Sequence, residues 1–71
     1  MSSKLQSIHF EKSKFTVEEA KKYLRDNGYK PIKDLHIEGN YIKSRLRVPH
    51  FKSYRSKKLD NGIILIYGIL A

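Results

Sequence analysis

Asp34, His36 and Glu38 stand two residues apart, a spacing that projects all three from one face of a β-strand. Two carboxylates and an imidazole so placed can contribute to a metal site. The simpler reading is the wet face of an edge strand with Leu35 and Ile37 turned inward. It is preferred because nothing else in the chain closes a site around them. His9 and His50 are isolated, without the histidine–histidine or histidine–glutamate spacing of a metal-binding helix. There is no cysteine nucleophile, no serine in a G-x-S-x-G setting and no glycine-rich phosphate loop. Glu18 and Glu19 are explained by helix capping rather than by acid–base work. A nuclease needs several acidic metal ligands, and beyond residue 40 the chain offers only Asp60. No catalytic residue, cofactor or metal is assigned, and the expectation is a protein that is not an enzyme.

The stronger constellation is Tyr41, Lys43, Arg45 and Arg47, four alternate residues of one strand. Same-face neighbours on a strand sit about 7 Å apart, comparable to the phosphate spacing of an extended single-stranded polynucleotide. Tyr41 adds a ring on which a base can stack. Arg55 and Lys57 extend the patch if their strand presents that side outward, and Lys52 and Lys58 frame it. The competing reading is an ordinary solvated sheet face. Binding is preferred because the overall charge supports it independently. The expected nucleic-acid contacts are therefore Tyr41, Lys43, Arg45, Arg47, Arg55 and Lys57. Contact is expected with phosphates and without sequence preference. Phe10, Phe15, Tyr23, Tyr29 and Phe51 are assigned to the core or its rim. The chain lacks the aromatic–glycine pattern of an RNA-recognition motif and the second helix of a helix-turn-helix.

The charge is the most prominent bulk property. Fifteen Lys and Arg face seven Asp and Glu, for a net charge of +8 over 71 residues. Residues 1–40 carry eight basic and six acidic residues, whereas 41–71 carry seven basic and one acidic. A basic field so concentrated attracts polyanions over roughly 8–10 Å in ordinary salt. Nucleic acid is the commonest such partner, followed by an acidic protein surface or an anionic membrane. At this length one domain is expected, burying only about 60% of the surface its unfolded chain exposes. The longest apolar run, 63–71 with Gly68 inside it, falls far short of the ~20 residues that span a bilayer. With no cysteine and no apolar leader in the opening residues, an intracellular protein is expected.

The elements that must position these residues follow from local signals. Residues 1–4 are expected to be a flexible tail and 5–71 a single small basic domain. A strand over 5–10 places Ile8 and Phe10 on one face and His9 on the other. Thr16-Val17-Glu18-Glu19 is a capping box that starts a helix running to about Asn27, stopped by Gly28 and barred from continuing by Pro31. Val17, Ala20, Tyr23 and Leu24 form its buried stripe. Ile32, Leu35 and Ile37 suggest a second strand ending at the Gly39-Asn40 turn. The return strand, 41–48, alternates Ile42, Ser44, Leu46 and Val48 against the basic face and is ended by Pro49. A strand over 54–59, the Asp60-Asn61-Gly62 turn and a last strand over 63–70 complete the chain. The expected fold is α+β, a small antiparallel-rich sheet with one helix, in the order β-α-β-β-β-β. The last strand is apolar on both faces: Ile63, Leu65, Tyr67 and Ile69 on one, Ile64, Ile66 and Leu70 on the other. This suggests that the N-terminal segment folds across it, that the sheet curls around it, or that another chain covers it.

With these elements in place, a wider pattern emerges. Residues 15–24 followed by Asn27-Gly28-Tyr29-Lys30, then Asn40 to Arg47 with Pro49 and Phe51, then 62–68, resemble a short module of large eukaryotic DNA viruses and tailed phages. In phages that module sometimes lies beside head-maturation proteases. Ser44 and Leu46 depart from it where the module has aromatic or polar residues, and no protease segment is present. The resemblance implies a viral, virion-associated protein in a host cell, and names no activity. The leading expectation is a nucleic-acid-binding accessory module. The alternative is a structural or interaction protein of a virion. It binds an acidic protein partner and forms a homo-oligomer through its apolar C-terminal strand.

Overall fold

The computed structural model describes residues 2–47 and 50–70. Its elements are β1 (Ser2–Glu11), α1 (Val17–Asp26), β2 (His36–Glu38), β3 (Tyr41–Arg45), β4 (Ser53–Lys58) and β5 (Ile63–Leu70). The order β-α-β-β-β-β and the α+β class are those read from the sequence. The five strands form one antiparallel sheet in the spatial order β2-β3-β1-β5-β4. The first strand is thus the central one. Among the described residues no helix is long and apolar enough to cross a membrane.

Three boundaries differ from expectation by more than one residue, each for a physical reason. Ser2, Ser3 and Lys4 are strand rather than tail, because Leu70, Ile69 and Gly68 give their backbones partners. Residues 32–35 stay outside β2; Ile32 and Ile37 are 47% and 54% exposed, and of the three apolar positions only Leu35 packs against the core. β3 stops at Arg45 instead of continuing to Val48. Gln6 sits at a bulge in β1, where its carbonyl accepts from both Leu46 N–H (2.8 Å) and Arg47 N–H (3.2 Å). Two amides on one carbonyl break the ladder and turn the chain away. Val48 and Pro49, expected to end that strand, lie outside the described residues, as do Met1 and Ala71.

The core lies between α1 and one face of the sheet. Register sets that face: Ile8 opposes Ser44 and Leu65, and Phe10 opposes Ile42 and Ile63. Ile8, Phe10, Ile42 and Ile63, with Ala20 and Leu24 of the helix, are fully or almost fully buried, and Leu5, Val17, Tyr23, Leu46 and Leu65 pack around them. Ser44 is completely buried in this layer, and its hydroxyl has no hydrogen-bond partner among the described residues. A buried, unpaired hydroxyl destabilises by about 1–3 kcal/mol. Ser44→Ala is therefore expected to raise the melting temperature, by several degrees if about 1 kcal/mol is recovered. A fall in a thermal melt would show that the hydroxyl has found a partner.

Both ends of α1 are closed as the sequence requires. Glu19 N–H donates to Thr16 Oγ1 at 3.2 Å, and Thr16 N–H donates to Glu19 Oε1 at 3.0 Å, a complete capping box. Such a cap is worth about 1 kcal/mol. At the other end Gly28 takes φ 77°, Tyr29 N–H reaches Leu24 C=O at 2.8 Å and Gly28 N–H reaches Arg25 C=O at 3.1 Å. These two bonds make a Schellman motif, in which Tyr29 packs back towards the core. Phe15, assigned to the core or its rim, packs edge-on to Phe10 (ring centroids 5.2 Å).

One end of the second face of β5, at Gly68, is covered by a side chain of the same chain. A Cβ at Gly68 would collide with the Phe51 ring, which packs over the glycine and stacks edge-on with Tyr54 at 6.0 Å. Ile64 and Ile66 on the same face remain half-buried. The N-terminal segment does not fold across them, since it is the neighbouring strand. β5 itself is interior to the sheet and has no free backbone edge.

Candidate nucleic-acid interface

The helix covers one side of the sheet, and the residues of interest lie on the other. Alternation in β1 puts Ser7, His9 and Glu11 there, opposite Arg45, Lys43 and Tyr41 of β3. His36 opposes Lys43 and Glu38 opposes Tyr41, so β2 continues the same face. One row across the sheet runs His36, Lys43, His9, Ile64 and Lys58; the next runs Arg45, Ser7, Ile66 and Ser56. A groove of about 360 Å³ opens along these rows. Its lining includes Ser7, His9, Lys43, Arg45, Tyr54 and Ile66.

Electrostatics on this face are governed by two carboxylates and the lysines that hold them. Glu38 bridges Lys43 Nζ (3.2 Å) and His36 Nε2 (3.5 Å), and Glu11 lies 3.5 Å from Lys58 Nζ and 3.9 Å from Lys14 Nζ. The hydrogen bond from Lys43, reinforced by its charge, holds the Glu38 carboxyl below its ordinary value. Burial, with the Lys43 ammonium second, holds His9 below the ordinary histidine value, while Glu38 pulls the other way. His9 therefore titrates at lower pH than an exposed histidine, and acidification adds positive charge to the centre of this face. Its ring is tilted against Tyr41 at 6.4 Å and its Nε2 lies 3.5 Å from Ser7 Oγ. Among the described residues Arg45 makes no ion pair.

The six residues expected to bind do not form one patch. Tyr41, Lys43 and Arg45 share the open face. Arg47 lies beyond the end of β3 and lines a different cleft, with Leu5, Tyr29, Lys30 and Leu46. Arg55 and Lys57 pair with Tyr67 and Leu65, and Leu65 belongs to the helix-side layer, so both point to the opposite side of the sheet. They are also three strands from β3, about 14 Å away. From β4 the open face receives Tyr54, Ser56 and Lys58 instead. Lys52 is exposed in the loop before β4.

Members of the face not singled out as binding residues from the sequence include Ser7, His9 and Tyr54. His9 had a usable signal, since it alternates with Ile8 and Phe10. Asp34 does not join His36 and Glu38, because residues 32–35 are not strand. Among the described residues no three His, Cys, Asp or Glu side chains are grouped to hold a metal ion.

Fold and face together define a small basic α+β domain, with a five-stranded sheet covered by a helix on one side and open on the other. Set against known proteins, the chain matches no family model, no curated protein and no solved structure.

Proposed function

We infer that this protein is a non-catalytic nucleic-acid-binding module that holds an extended polynucleotide on the open face of its sheet. One observation carries the reading: Tyr41, Lys43 and Arg45 share an uncovered face with His9 and Tyr54, and Arg45 has no ion-pair partner among the described residues. Arg45 and Lys43 meet successive phosphates, and the Tyr41 and Tyr54 rings offer stacking surfaces that tolerate any base. The net charge of +8 supplies the long-range attraction. The sequence resemblance adds a viral setting to this proposal.

Half-buried Ile64 and Ile66 on the same face favour a second reading, in which the module is a structural protein that meets an acidic partner or its own copy there. The test is the affinity for a labelled, unstructured oligonucleotide over a salt series. Log affinity is expected to fall linearly with log salt, with a slope of about −1.4 or steeper for two or more single-strand phosphate contacts. No salt-dependent binding, with a dimer seen by light scattering, would favour the second reading.

A further inference from the structure

In the row that crosses β2, β3 and β1, His36, Lys43 and His9 stand side by side on the open face. Glu38 follows His36 by two residues on the same face and reaches back over this row. Its two oxygens contact different donors, Oε1 with Lys43 Nζ at 3.2 Å and Oε2 with His36 Nε2 at 3.5 Å. A bridging carboxylate makes the same contacts that two non-bridging oxygens of a phosphodiester would make. The contact is also easy to give up. Glu38 and His36 are more than half exposed, and exposed ion pairs contribute little to stability. Glu38 ends a three-residue edge strand, next to the Gly39 turn.

One row further along, Arg45 and Ser7 face the same groove, about 7 Å from Lys43 along β3. Beyond them Tyr54 and Ile66 line its less polar end. The volume, about 360 Å³, lies within the range of small-ligand sites.

We propose that Lys43 and His36 form a phosphate seat for a polynucleotide backbone, and that the Glu38 carboxylate occupies this seat in the free protein as an internal competitor. The proposal rests on the nucleic-acid reading above. It adds a site for one particular phosphate, with Arg45 taking the next, and a residue that sets the affinity without touching the ligand. Binding exchanges one anion for another at Lys43, so the free protein discriminates against weak anions and yields to a polyanion that offers several phosphates at once.

The experiment measures binding of a labelled oligothymidylate by fluorescence anisotropy over a salt series. It compares wild type, Glu38→Gln, Glu18→Gln, Lys43→Ser and the Glu38→Gln/Lys43→Ser double variant. Glu18→Gln makes the same change in net charge on the helix, away from the open face. Glu38→Gln is expected to bind about two- to fivefold tighter than wild type, the range that loss of an exposed ion-pair competitor allows. Glu18→Gln is expected to stay within the smaller shift of a general charge effect. The gain should vanish in the double variant compared with Lys43→Ser alone, because the competitor acts only through the seat. Equal gains from Glu38→Gln and Glu18→Gln, or a full gain retained without Lys43, would overturn the seat. If Lys43→Ser weakens binding and Glu38→Gln leaves it unchanged, the seat falls and the nucleic-acid reading stands. If no variant binds in a salt-dependent way, both fall.

Discussion

A Phe10→Ala variant is expected to melt about 12 °C or more below the wild-type protein. Phe10 is fully buried on the central strand, and its ring takes the edges of Phe15 at 5.2 Å and Tyr23 at 5.6 Å. Its cross-strand neighbours are Ile42 and Ile63, both buried, so the ring joins the helix to three strands. Truncating such a ring to alanine destabilises by about 3–5 kcal/mol, through lost burial and the cavity left behind. A domain of this size is stable by roughly 4–10 kcal/mol in total. Even the lower loss corresponds to a drop of about 12 °C or more in melting temperature. Phe51→Ala provides the contrast, since that half-buried ring lies over Gly68 outside the main core and should cost less. A Phe10→Ala protein that melts cooperatively within a few degrees of wild type would place the core elsewhere.

What could be read from the sequence was local, and what could not was pairing. Thr16, Glu19 and Gly28 act within a few residues of themselves, so the helix and both its ends were legible from spacing. Gly39 and Gly62 adopt positive φ (60° and 88°) in the two hairpin turns where the sequence placed them. The open face was legible in part, because Tyr41, Lys43 and Arg45 alternate with Ile42 and Ser44.

The rest depends on which strands meet. His9 is isolated in sequence, and its neighbours Lys43 and His36 arrive from strands more than two dozen residues away. β4 carries six exposed residues and no apolar alternation, so its phase could not be read. Only the pairing of Arg55 with Tyr67 and Lys57 with Leu65 reveals that these two cations face away. Arg47 leaves the row because of Gln6, forty-one residues earlier, whose bulged backbone takes the next two amides and whose side chain donates to Arg47 C=O.

That division between the two sides of the sheet supplies the second prediction, and the most direct test of the function proposed here. Two double variants remove the same charge, Lys43→Ser with Arg45→Ser from the open face, and Arg55→Ser with Lys57→Ser from the helix side. Any effect of net charge alone is common to both. Phosphate contact is not, because one strand of polynucleotide lying along β3 cannot reach the opposite side of the sheet. Each charge-assisted hydrogen bond contributes about 1.5 kcal/mol or more, close to tenfold in affinity. The open-face pair is therefore expected to weaken oligonucleotide binding about a hundredfold and to flatten the salt slope by about 1.4. The helix-side pair should produce a far smaller loss, and both proteins should keep the wild-type circular dichroism spectrum and melt. Equal losses from the two variants, or a larger loss from Arg55 and Lys57, would contradict binding on the open face.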